Sequence, residues 1–301
     1  MHSFARSVTD ATFPRERAWP LQSRTMPFRP PSPATPLAPD AFGLWVMPRC
    51  ALGAILLCLG LAWSGRESDR ALLLALQQLS PDWALAWSLL TWSALGIASL
   101  LWLTALSSRE PRRVAGILIA MLLGGIVVHA IKRSLGVDRP LAVFGADHPL
   151  FQVIGEPLRR GSMPSGHTTT AWTVAGLMTL SSARGAIWRH GWWLLAAAQG
   201  LSRVMVGAHW PSDVLAGAGV GLILAPTVWC LGWTQRLGQW LDQQHVRPWV
   251  GGTLPVLALL LCLLDLGTPL PLASCALLIS LGLYGMWRWS SPLLQPAVPS
   301  A

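Results

Sequence analysis

From residue 44 onward the chain alternates between apolar runs close to twenty residues long and short polar segments. That is the pattern of helices crossing a hydrocarbon core about 30 Å thick. The runs predict spans near Leu44–Trp63, Trp83–Leu106, Val114–Ile131, Thr168–Ser182, Trp192–Met205, Val214–Trp233, Trp249–Leu266 and Leu270–Trp287. The fourth and fifth are shorter than ideal and are expected to extend into flanking residues shielded by protein contacts. Between the first two, Arg70 to Leu79 is too short and too polar at its flanks to span. It predicts a helix lying at the interface, ended by Pro81.

Residues 1–43 are rich in proline and arginine and lack apolar periodicity, which predicts a disordered cytoplasmic tail. The same composition suits an organelle transit peptide, and Met26 and Met47 offer later starts. A cleaved secretory signal does not fit, because the first apolar run begins late and is too long.

Composition narrows the class. Of 301 residues 52% are hydrophobic and 12% charged, about half the charge of a soluble globular protein. Eighteen Trp, 28 Gly and a mean hydropathy of +0.47 agree with helices packed in lipid. The fold class is therefore all-α, a polytopic membrane helical bundle. A soluble two-domain enzyme, a coiled coil and a disordered scaffold are excluded, but a transporter is not.

The net charge of +9 falls in short clusters between apolar runs rather than along one face, which argues for topology and against nucleic acid. Arginines before the first span, and then Arg109, Arg112, Arg113, Arg184, Arg189, Arg236, Arg247 and Arg288, follow an eight-span alternation with the N-terminus inside. The turn at Asp265–Pro269, outside, has no basic residue. Two outer segments break the rule: Lys132–Pro164 and Arg203–Asp213 carry Lys132, Arg133, Arg139, Arg159, Arg160 and Arg203. Basic groups placed against the topological bias point to an anionic ligand. The five cysteines, Cys50, Cys58, Cys230, Cys262 and Cys275, show no paired spacing and read as core or lipid-facing residues, not a disulfide framework or zinc site.

The outer segments hold three groups of residues. Lys132-x6-Arg139-Pro140 leaves the third span, and Lys132 is the only lysine in the chain. A point charge and a planar fork of donors suit a tetrahedral phosphate, although a Lys at a helix end also snorkels. Pro164-Ser165-Gly166-His167 opens the fourth span. Proline suits a first helical turn, and free N–H groups of Ser165, Gly166 and His167 would make an anion site at the positive end of the helix dipole. An ordinary helix start with an interfacial His is the plainer alternative.

Ser202-Arg203-x5-His209-x3-Asp213 runs from the fifth span into the sixth. An imidazole attacks phosphorus only through a free lone pair, and a carboxylate holding its other N–H fixes that tautomer. Pro211 places Asp213 in a first helical turn with His209 just before it. Each group alone admits a structural reading; all three, in order on one membrane face, do not.

Together these segments resemble the three signature motifs of the type 2 phosphatidic acid phosphatase superfamily, lipid phosphate phosphatases related to vanadium haloperoxidases. The resemblance covers roughly Leu44 to Trp233. It implies a six-helix phosphatase core, residues 44–235; the two additional transmembrane helices within 236–301 and the proline-rich tail depart from that core.

It further implies that His209 is a nucleophile forming a phosphohistidine, that Asp213 orients it, and that His167 is the general acid and then the base. Lys132, Arg139, Ser165, the Gly166 amide and Arg203 would bind the phosphate oxygens. The family requires no metal, and no cofactor is expected. The implied partners are a lipid phosphate and the surrounding membrane lipids, with no nucleic acid and no identifiable protein partner.

The implied location is a bacterial inner membrane with the site on the outer face. Undecaprenyl diphosphate, phosphatidate, phosphatidylglycerophosphate and lipid A phosphates all suit the motifs. A lipid phosphotransferase would share the site. A transporter binding anions on a basic ring would not need His209 with Asp213. Arg133, Asp138, His148, Glu156, Arg159 and Arg160 read as a solvated loop or as head-group contacts, and His129 as a packing or interface histidine.

Overall fold

The computed structural model describes residues 39–79, 83–180, 185–264 and 271–291, so the proline-rich segment, Pro81, Arg184 and the Asp265–Pro269 turn lie outside the described residues. In order, the helices are α1 (Pro39–Trp63), α2 (Glu67–Gln78), α3 (Ala84–Ser93), α4 (Gly96–Leu106), α5 (Pro111–Leu135), α6 (Pro140–Phe144), α7 (Gly166–Leu180), α8 (Ala186–Met205), α9 (Pro211–Cys230), α10 (Gly232–Leu241), α11 (Arg247–Leu263) and α12 (Leu272–Ser290). Among the described residues there is no strand, and the fold is all-α.

Val46–Trp63, Pro111–Phe144 and Pro211–Cys230 are long and apolar enough to cross a membrane, making this an integral membrane protein. The pair α3 and α4 makes a fourth span if counted as one. The eight expected spans exceed this number because α7 and α11 are short, with 15 and 17 residues, and α8 and α12 are less apolar.

The expected single span Trp83–Leu106 is two helices bent by 68°. The bend frees backbone groups that a membrane cannot hydrate, and neighbouring side chains take them up. Ser99 Oγ and Trp102 Nε1 donate to the Ser93 carbonyl at 3.3 and 3.2 Å, and Gln199 Nε2 donates to Ser93 Oγ at 2.8 Å.

Helix α9 is the centre of the bundle, packed between α1 and α7. Small residues let backbones meet there, the usual solution where lipid gives helices no hydrophobic reason to associate. A Cβ on Gly219 would lie 2.5 Å from the Gly53 carbonyl oxygen of α1, and one on Gly221 2.7 Å from that of Thr169 of α7. The outward faces are apolar, as at Leu52, Ile55, Leu122 and Ile126, whereas Thr168, Thr169, Thr173, Gln199 and Ser202 are buried.

The antiparallel run of α5, α7, α8 and α9 brings the C-terminus of α5, the N-terminus of α7, the C-terminus of α8 and the N-terminus of α9 to one end. The opposite end gathers arginines assigned to the inner side. There Arg112 donates to the Trp229 carbonyl at 2.9 Å, and Arg247 pairs with Asp242 at 2.7 Å. Helices α11 and α12 pack on each other and on α4, where Trp289 Nε1 donates to the Thr104 carbonyl at 2.8 Å.

Candidate active site

At the end of the bundle where α5 and α8 finish, a cavity of about 630 Å3 is lined by α3, the ends of α5, α7 and α8, and the loops that follow α5, α6 and α8. Lys132, Arg139, Gly166, His167, Arg203 and His209 all line it, together with Arg133, Glu156 and Arg160 from the expected loop. Glu156 is the only carboxylate among these lining residues, so the cavity is strongly cationic. Asp138 and His148 are not among the lining residues, and Arg159 contributes its carbonyl to the Arg139 amide instead.

Helix α5 ends by a left-handed Gly136, φ 59°, whose amide returns to the Lys132 carbonyl at 3.0 Å. A residue with a Cβ is strained in that conformation, and the turn sends Arg139 back toward Lys132. The loop 159–162 then holds both cations. Lys132 Nζ donates to the Gly161 carbonyl and to that of Ser162 at 3.3 Å. Arg139 Nε donates to Arg160 at 3.0 Å, and its Nη1 to the Ala208 carbonyl, beside His209, at 3.0 Å. Arg203 differs: its guanidinium is buried in the last turn of α8, and its Nε has no hydrogen-bond partner among the described residues. A buried cation without a carboxylate is costly unless an anion completes it.

His209 sits in the loop between α8 and α9 and is 2% exposed. Its Nδ1 lies 3.1 Å from Asp213 Oδ2 in the first turn of α9, which Pro211 opens. A carboxylate only accepts, so Nδ1 carries the proton and Nε2 keeps its lone pair. The same oxygen accepts the Trp210 amide at 2.9 Å and the Ser162 hydroxyl. Burial first, and then the charges of Arg139, Arg203 and Lys132, hold the His209 imidazole well below its ordinary pKa of 6.5. The ring is therefore neutral at neutral pH. Gly207 shapes this loop: its φ is +72°, and a Cβ there would lie 2.2 Å from the Gln152 carbonyl oxygen.

One segment differs in detail from the expectation. Pro164 precedes α7 rather than opening it; the helix begins at Gly166, behind a cis Met163–Pro164 bond. Ser165 is its cap, the Oγ accepting from the Thr168 amide at 3.4 Å and from Thr168 Oγ1 at 3.0 Å. The Ser165 amide is not free, because it donates to the Asp213 carbonyl at 3.0 Å. Ser165 is fully buried and is not among the residues lining the cavity, where Gly166 and His167 are.

The motifs left several supporting residues unnamed. Ser162 holds Asp213, and Asp69 of α2 holds Ser212. His129, read as a packing residue, lines the cavity. No sequence spacing signals Ser162 or Asp69, since their partners lie 51 and 143 residues away. His129 does carry a signal: it precedes Lys132 by one helical turn.

Residues 113–237 match the model of the PAP2 superfamily. The chain is 32% identical over 130 residues to a lipid A 1-phosphatase of Porphyromonas gingivalis, covering 43% of this chain and 24% of that protein. It is 33% identical over 126 residues to a decaprenylphosphoryl-5-phosphoribose phosphatase of Mycobacterium tuberculosis, covering 40% of this chain and 64% of that protein. The aligned part is thus less than two thirds of either relative. A crystal structure of Aquifex aeolicus LpxE is 23% identical, with a TM-score of 0.46, over 55% of this chain and 96% of that one.

Proposed function

The chain carries a PAP2 superfamily domain, and from that premise we propose that it is a membrane phosphatase removing a phosphate from a lipid phosphate or diphosphate through a phosphohistidine. The observation that carries the reading is His209 hydrogen-bonded to Asp213 in a cavity with Lys132, Arg139 and Arg203, whose Nε has no partner among the described residues. Electrostatic attraction of an anion requires the cations but not the oriented imidazole.

In this mechanism Nε2 of His209 attacks phosphorus while Asp213 holds Nδ1–H and supports the positive charge that forms on the ring. Burial and then the charges of Arg203, Arg139 and Lys132 hold the His167 imidazole below its ordinary pKa. A substrate phosphate neutralising those cations would let it carry the proton that it gives to the departing oxygen as the bond to phosphorus breaks. A water then attacks the phosphohistidine, its proton passing to His167, and His209 leaves as the neutral base. Lys132, Arg139, Arg203 and the amides of Gly166 and His167 neutralise the charge on the equatorial oxygens. Ser165 acts from beneath, by capping the helix that presents those amides.

A second hollow supports a substrate with an apolar chain. A pocket of about 190 Å3 between α4, α5, α7 and α9, lined by Ile117, Met121 and Leu224, shares Val128, His129 and Gly166 with the phosphate cavity. Phosphate and chain would then lie on either side of one helix face. The names of the relatives favour phosphates carried by glycolipids or polyprenyl lipids. The loop charges favour the outer face of a bacterial inner membrane, with the N-terminus cytoplasmic.

The test is phosphate release by the purified protein in detergent from lipid A 1-phosphate, undecaprenyl diphosphate, phosphatidate and phosphatidylglycerophosphate. At least one is expected to turn over, and His209→Ala to abolish it. Absence of release from all four by the wild type, or full release by a well-folded His209→Ala, overturns the reading. Radiolabel appearing in an added acceptor lipid would identify a phosphotransferase.

A further inference from the structure

Helix α2 buries Asp69, Leu73 and Gln77, which recur every four residues along one face. Two of these three are polar, while Leu72 and Leu79 on other faces are exposed. An interfacial helix that turns a carboxylate and an amide inward is doing something other than covering apolar surface.

Both buried groups bind helix ends. Asp69 Oδ1 accepts the Ser212 amide at 3.0 Å and Oδ2 the Ser212 hydroxyl at 2.5 Å. Ser212 is the second residue of α9, so its amide is one of the donors a helix start leaves without an intrahelical partner. Gln77 Nε2 donates to the Val204 and Met205 carbonyls at 3.4 and 3.3 Å, in the last turn of α8, where the Val204 carbonyl also accepts the Gly207 amide at 2.9 Å. It also donates to the Gln152 carbonyl at 2.9 Å, and its Oε1 accepts the Gln152 amide at 3.1 Å.

The five residues between the two capped ends are Val206 to Trp210, the loop of His209. Asp69 and Gln77 stand eight residues apart, about 12 Å along a helix. Burial raises the Asp69 carboxyl above the ordinary range, an effect that the Ser212 hydrogen bonds and Arg70 oppose. The chain thus holds a costly group in place at a point next to Asp213.

We propose that Asp69 and Gln77 make α2 a positioning element of the reaction, which fixes the ends of α8 and α9 so that Asp213 stays on His209 Nδ1. Neither residue lines the phosphate cavity, and neither touches the reacting atoms. Asp69 acts through Ser212 on the adjacent Asp213. The proposal rests on the reading of His209 as nucleophile for its kinetic consequence, but the geometry it asserts is measurable without turnover.

The test is a cycle of Asp69→Ala and Asp213→Asn, each alone and together, with kcat and KM measured on a short-chain lipid phosphate. Asp69→Ala is expected to lower kcat at least tenfold with KM changed less than threefold, because the cations of the cradle stay in place. In the Asp213→Asn background the same change should cost less than threefold, since the charge whose placement on Nδ1 it secures is already gone. Asp69→Asn, which keeps an acceptor for the Ser212 amide, should restore part of the rate and replaces Asp69→Ala in the cycle if that variant does not fold.

Equal losses in both backgrounds, or a kcat for Asp69→Ala within twofold of wild type, overturn the proposal. Nitrogen NMR of the His209 ring, assigned by loss of its signals in His209→Ala, decides the matter should the wild type release no phosphate from any substrate. A single Nδ1–H tautomer that becomes mixed in the Asp69 variant supports the positioning role, and an unchanged ring overturns it.

Discussion

Replacing Asp213 by Asn separates what the carboxylate does by geometry from what it does by charge. All its hydrogen bonds among the described residues converge on Oδ2, which accepts from the Trp210 amide, the His209 ring and the Ser162 hydroxyl. Oδ1 is buried without a hydrogen-bond partner among the described residues. A backbone amide cannot turn into an acceptor, so the Asn carbonyl should take the Oδ2 place and its NH2 the empty one. His209 then keeps its tautomer and its free Nε2 lone pair.

The loss would be the charge that, in the proposed mechanism, supports the imidazolium formed during transfer. Hydrogen bonds to charged groups contribute about 1.5–3 kcal/mol against about 0.5–1.5 kcal/mol for neutral ones, and the difference of about 1–1.5 kcal/mol, at about 1.4 kcal/mol per decade, lowers kcat by roughly 5- to 12-fold. The reversed amide would instead force the wrong tautomer, for which a loss near 10⁴-fold is the precedent in serine proteases. The assay is phosphate release from the best substrate of the panel, with His209→Ala as the floor. Wild-type kcat in Asp213→Asn would show that the charge is unused; a fall to the His209→Ala floor would show that the backbone amide does not dictate the orientation.

Other outcomes follow from the same geometry. Because the His209 pKa is lowered, its neutral imidazole persists as pH falls through 6.5, so, if it is the nucleophile as proposed, the acid limb of kcat/KM should lie well below that value. The same shift makes the unfolded chain bind a proton that the native protein refuses, so stability falls as pH drops below 6.5; His209→Ala should remove part of that acid loss in a series of melting curves. Acylating Lys132, the one lysine side chain, should cut turnover on the order of 100-fold, with vanadate protecting; unchanged turnover after quantitative acylation, confirmed by mass spectrometry, would remove it from the cradle. Gly207→Ala should cost about 3 kcal/mol or more, seen as a lower melting temperature, because the added carbon meets a backbone oxygen and the φ is positive. A cysteine at the exposed Asp147, in a cysteine-free background, should react with an impermeant maleimide from outside and one at Arg109 should not; the reverse would invert the proposed orientation.

The candidate site was legible in the sequence because its residues lie in short segments whose spacing the backbone preserves. Four positions from His209 to Asp213, with Pro211 between, leave little choice but a loop histidine facing a first-turn carboxylate. The expectation weakened where a local pattern has a nonlocal partner. Ser165 looked like a donor to phosphate, yet its amide belongs to the Asp213 carbonyl across the helix pair. The break after Ser93 was invisible to hydropathy, since it is stabilised by Trp102 and by Gln199 from α8. Helix α2 was read as interfacial from its apolar residues, and nothing within its twelve positions announces that Asp69 and Gln77 bind other helices.

The contact of α9 with its neighbours has a genetic corollary. Between Ala216 and Gly221 the chain carries no group that could touch a phosphate, yet Gly217, Gly219 and Gly221 each meet the backbone of another segment, at Ser165, α1 and α7, closely enough that one added carbon collides with it. A single-base change from a glycine to an alanine codon in this run would act as a folding lesion while leaving every reactive side chain intact. A saturating screen for loss-of-function alleles should therefore return two clusters with different signatures: full-length, inert protein from the histidines and cations, and depleted protein from the smallest residues in the chain.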